Sequence, residues 1–108
     1  MKLIDVRAED GSRQFACLRK ETTWQALHEH VGRVPEATVH NFVAEGMAGP
    51  WLEFTFRGHR FLVHERDGGW WLCVRDPQCP DTLLYHVAAH LAETARQQTD
   101  GNDADAAK

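Results

Sequence analysis

Positive charge is scarce in this sequence, and that shortage excludes a good deal. Twelve lysines and arginines stand against sixteen aspartates and glutamates, for a net charge of −4 and a pI near 5.9. Such a balance argues against bulk electrostatic attraction to nucleic acid or to an anionic lipid surface. Long hydrophobic runs are missing too: nothing approaches the roughly 18–20 apolar residues that a membrane-spanning helix needs. Charges at Lys2, Asp5 and Arg7 interrupt the start before a secretory apolar region can form, so the expectation is an uncleaved beginning and a cytoplasmic protein of the bacterial type. Cys17, Cys73 and Cys79 are too few, and odd in number, for a disulfide framework, which favours free thiols in a reducing compartment. A phosphate-cradling loop is absent as well. The glycines of Gly46-Met47-Ala48-Gly49-Pro50 come without the lysine and following helix that would make one. From Gln97 onward no large apolar residue occurs, so residues 98–108 read as a disordered acidic tail behind a single domain spanning 1–97.

What is present is a hydrophobic pattern of ordinary globular strength, 43% apolar and 26% charged. Its clearest stretch runs from Trp51 to Arg75. Leu52, Phe54 and Phe56 alternate with polar neighbours, Gly58-His59 suits a two-residue type II′ turn, and Arg60–Arg66 runs back. Asp67-Gly68 turns the chain again into Trp70–Arg75, completing a three-stranded meander. Pro77 and Pro80 end the strand, and Pro80 with Asp81 starts a helix whose stripe is Leu84, Val87, Ala88, Leu91 and Ala95, predicted to reach about Arg96. In the N-terminal half, Asp10-Gly11 separates two strand-like runs in which Ile4 and Val6 face Phe15 and Cys17. Thr22-Thr23-Trp24-Gln25 resembles a capping box opening a short helix to about Val31, and Thr38–Glu45 is a further strand. The predicted fold is α+β: an antiparallel meander sheet packed by a C-terminal amphipathic helix, with an N-terminal hairpin and a short helix.

Pairing the meander through its two turns sorts the side chains by face. Arg57, Arg60 and Arg75 are predicted to share one outer row, with Leu62, His64, Trp71, Trp51 and Arg66 on the same face. Arginines directly opposite one another repel, so the row calls for an anionic counterpart. Asp5, Glu9, Glu21, Glu29 or a second subunit is the ordinary source, since segment 57–75 is net +2 in an acidic chain. An acidic protein segment, a phosphate or a single-stranded nucleic acid is the functional alternative, because arginine pairs with phosphate and aromatics stack bases. The acidic total makes nucleic acid the weaker reading.

The seven histidines raise metal binding. His86 and His90 are four apart on the C-terminal helix, a spacing that sets two imidazoles on one face, although two ligands make only half of a zinc site. A surface pair without metal is the ordinary reading, and no cofactor is expected. Cys79 near a helix start is the candidate for an activated thiol, but no motif supplies a base or an oxyanion site. The resulting expectation is a non-enzymatic interaction or regulatory module that uses its outer sheet face toward a protein partner or a second copy of itself. A metal-dependent or thiol enzyme is the alternative, a single-stranded nucleic-acid binder a further one, and no membrane contact is expected.

Overall fold

A computed structural model describes residues 2–44 and 49–106, with side chains as far as Thr94. Among these, β1 (Val6–Arg7), β2 (Arg13–Arg19), α1 (Trp24–Arg33), β3 (Ala37–Val43), β4 (Trp51–Phe56), β5 (His59–Arg66), β6 (Gly69–Val74) and α2 (Asp81–Ala106) follow one another along the chain. The strands make one sheet in the order β1-β2-β6-β5-β4-β3, and every neighbouring pair is antiparallel. The α+β fold with a C-terminal helix on the sheet is therefore as the sequence predicts. The meander β4-β5-β6 lies at its centre. The N-terminal hairpin adds to the β6 edge, so it widens the sheet instead of lying across it.

Local chemistry explains the boundaries. The Thr23 hydroxyl accepts the Ala26 amide at 3.1 Å and opens α1 as an N-cap. Val34 closes the helix in an extended conformation, as a residue before proline must. The α2 backbone runs helical past the expected Arg96 to Ala106. Ala95 and the side chains of the expected tail, residues 98–108, lie outside the described ones, as does most of the Gly46–Pro50 loop together with Glu45.

One face of the sheet carries the core. Phe15, Leu52, Phe54, Phe56, Phe61, Val63, Trp70, Leu72 and Val74 pack beneath Leu27 and Val31 of α1 and Leu84, Val87, Ala88 and Leu91 of α2. Phe61 is its hub, edge-on to Phe15 at 5.9 Å and stacked on Phe54 at 5.5 Å. Trp24 and Trp70 meet at 5.8 Å, and the Trp24 indole donates to Glu65 at 2.7 Å.

Two details of the sheet also depart from the sequence expectation. The β4–β5 turn is Arg57-Gly58, with φ of 49° and 82°, a type I′ geometry in place of the II′ turn expected at Gly58-His59. Register moves by two residues, which keeps every side chain on its expected face. The move sets Leu52 opposite Val63 and Phe54 opposite Phe61; the expected register would have set Leu52 against Glu65, a carboxylate that instead serves Trp24 and Lys20. The second departure is a bulge between Gln14 and Ala16. It places Phe15 and Ala16 side by side in the core and turns Cys17 outward, so Phe15 and Cys17 do not share a face.

Candidate functional site: the open sheet face

Alternation that buries one face presents the other. With both helices on the core side, the remaining face is ordered by register into rows across the strands. Val43, Trp51, His64, Trp71 and Cys17 form one row from β3 to β2. Asn41, Glu53, Leu62, Cys73 and Gln14 form the next, and Thr38, Thr55 and Arg60 the third, with Arg75 donating its amide to the Arg60 carbonyl. Leu62 is 37% exposed, one of the few large apolar side chains so open. The Trp71 indole donates to the Arg66 carbonyl at 3.2 Å, which satisfies its polar atom and leaves an apolar ring. A groove of about 400 Å³ runs over this face, bounded by Trp51, Leu62 and Cys73 on its apolar side and by Asp10, Glu53, Arg60 and Arg75 on its charged side.

The structure brings Arg60, Arg75, Leu62, His64, Trp51 and Trp71 together on this face, with Arg66 at its exposed end. Arg57 is separated from them. It sits in the β4–β5 turn, over the Phe56 ring at 4.9 Å, and pairs with Glu36 at 2.8 Å. The expected row of three arginines is therefore a pair, Arg60 beside Arg75, because the two-residue register shift carries Arg57 off the strand.

Counter-charge is present, though not from the carboxylates expected. Glu53 pairs with Arg60 at 3.3 Å from the neighbouring strand. Asp10 in the β1–β2 turn accepts the Ser12 hydroxyl at 2.7 Å and its amide at 2.9 Å, which hold its carboxyl below the usual range, with a smaller contribution from Arg75. Asp5 is used by Arg7 and Arg13, and Glu21 by Arg19; Glu29 accepts from Gln25.

Burial, then the nearby Arg66, lowers the His64 pKa from its ordinary 6.5, so the ring between the two tryptophans favours the neutral form. All three thiols are pushed up. Burial raises Cys17; burial and the Asp10 charge take Cys73 to about 11; burial and Asp76 raise Cys79, outweighing Arg13. Protonated thiols are poor nucleophiles, and Cys79, just before α2, is buried.

His86 is exposed on α2, while His90, one residue before the core Leu91, is half-buried. Among the described residues, the cluster that draws in His90 consists of His30, His90 and Glu93 and does not contain His86. Sequence reasoning missed His30 and Glu93 as neighbours of His90. No family model, curated protein or solved structure matches the chain.

Proposed function

We propose that the protein is a small cytoplasmic interaction module, non-enzymatic, whose open sheet face docks a second copy of the chain. The observation that carries this reading is the row Val43–Trp51–His64–Trp71 on the face away from the two helices, with Leu62 beside it, apolar in the middle, with Arg60 and Arg75 beyond one end and Arg66 beyond the other. Aromatic and aliphatic centres with an arginine-containing rim are the composition of protein interfaces. The end at Arg60 and Arg75 holds both signs, with Glu53 and Asp10 beside them. A patch of that kind is self-complementary under a two-fold axis. It needs no polyanion, because its arginines have carboxylates at hand, which favours protein over nucleic acid. Exposed ion pairs contribute only about 0–1 kcal/mol each, so Leu62, Trp51 and Trp71 supply most of the association energy.

Light scattering of the full chain at high micromolar concentration tests this reading. A dimer is expected, and Leu62→Asp is expected to return it to monomer with an unchanged far-UV spectrum. A monomer whose open face exchanges its amide protons freely would sink the self-docking reading. A mobility shift with single-stranded RNA at physiological salt, weakened by Arg60→Ala and by added salt, would replace it with the nucleic-acid alternative; no shift is expected.

A further inference from the structure

On the opposite side of the sheet, independent of the docking face, the two helices converge at their polar margin. His30 lies on α1 directly before the core residue Val31, and His90 on α2 directly before the core residue Leu91. Glu93 follows His90 by three residues, so both project from the same side of α2. One ligand atom from each of His30, His90 and Glu93 falls within 4.8 Å of the others. A tetrahedral ion with bonds of about 2.0–2.2 Å holds its ligand atoms about 3.4 Å apart, so the three ligand atoms need to draw in by little more than an ångström at most. His30 is only 7% exposed, which fixes one ligand against the core, while His90, edge-on to Phe56 at 6.1 Å, and Glu93 are half-buried. Beside the trio lies a cavity of about 260 Å³, lined by His30, Arg33, Val34, Pro35, His90 and Glu93 and open to solvent.

From this arrangement we infer that His30, His90 and Glu93 form a binding site for one first-row divalent transition-metal ion, zinc being the reference case. Two imidazoles and one carboxylate are a donor set such ions accept. Three protein ligands beside a cavity open to solvent leave a coordination position for water, the pattern of an open site and not of a closed structural one. Arg33, the cation in the lining, is exposed at the C-terminal end of α1 and can turn its charge to solvent. The ion would tie α1 to α2 through His30 and His90, residues 60 apart in the chain. His86, one turn earlier on α2, takes no part.

Cobalt(II) and zinc(II) titrated into the untagged, chelator-treated chain test the site. One cobalt per chain is expected, with visible d–d absorption and paramagnetic shifts of the His30 ring resonances. Zinc is expected to raise the melting temperature. His90→Gln and Glu93→Gln, both outside the packed core, are each expected to weaken binding by at least about tenfold, and His86→Gln to leave it unchanged. Absence of stoichiometric binding at micromolar cobalt overturns the site. So does binding that ignores Glu93→Gln, or that depends on His86 in place of His90, and the His30 shifts in the unmutated protein decide the matter without relying on a variant's folding.

Discussion

Phe61 and Leu62 are adjacent in β5, yet they belong to different worlds. Phe61 is 1% exposed between Phe15 and Phe54, while Leu62 stands 37% exposed between Glu53 and Cys73. The whole sheet repeats this contrast. Its helix-covered face is apolar and closely packed, and its open face mixes tryptophans, a histidine, cysteines and ion pairs. Stability resides on the first face, and the second is left with surface that folding does not consume.

The contrast breaks if the two faces respond alike to truncation. Phe61→Ala is expected to cost about 3–5 kcal/mol, the range for a buried phenylalanine, whereas Leu62→Ala is expected to stay within about 1 kcal/mol. Urea denaturation of the two variants in parallel makes the measurement. Comparable losses would mean that the open face is part of the core.

Glu65 sharpens the contrast because it serves the covered side. It accepts from Trp24 and pairs with Lys20 at 3.0 Å, and these two hydrogen bonds hold its pKa below the ordinary 4.5. Glu65→Ala strands a donor and is expected to cost about 1–3 kcal/mol. The carboxylate's contribution is in full above pH 4.5 and is lost as pH falls through its depressed folded value. The mutant and wild-type stabilities should therefore converge on acidification. Equal separation at all pH values would show that the ionised form is not what matters.

His64 gives the open face a pH dependence of its own. Trp51 and Trp71 flank it on the neighbouring strands, and Arg66 follows along β5. Its folded pKa is lowered, so the folded state binds this proton less readily than the unfolded chain. Stability is expected to fall as pH drops below about 6.5, the ordinary value, and His64→Gln should remove that slope. A slope that survives the substitution belongs to another group.

The smallest effects lie at the margins. Arg57→Ala removes an exposed pair with Glu36 and is expected to change stability by about 0–1 kcal/mol. Truncation after Gln98 removes no large apolar side chain, and the melting temperature should hardly move. A loss of several degrees would place core contacts in a segment whose composition offers none.

Much of this architecture was legible in the sequence because period-two and period-3.6 patterns are local. The Leu52/Phe54/Phe56 alternation and the Leu84/Val87/Leu91 stripe identify both the elements and their buried sides. Register was less legible, since Gly58 fits either central position of a two-residue turn; the choice fell to Leu52, which meets Val63 in one register and Glu65 in the other. The bulge at Phe15 leaves no mark in composition. Adjacency of β2 to β6, and of His30 to His90, depends on how distant elements pack. The available hint was that each of those histidines sits directly before a core residue of its helix, at the edge of an apolar stripe, and no pattern within one helix says which edge of another it will meet.

The two ends of the sheet carry a consequence for assembly. β1 contributes only two residues, and β3 is interrupted by a bulge between Val39 and Asn41, where His40 shares a hydrogen bond of 3.1 Å with Thr55. Neither border offers the long, regular ladder of unpaired amides that an incoming strand needs. A strand arriving at either border would meet a short or a bulged neighbour, which disfavours open-ended growth by edge pairing.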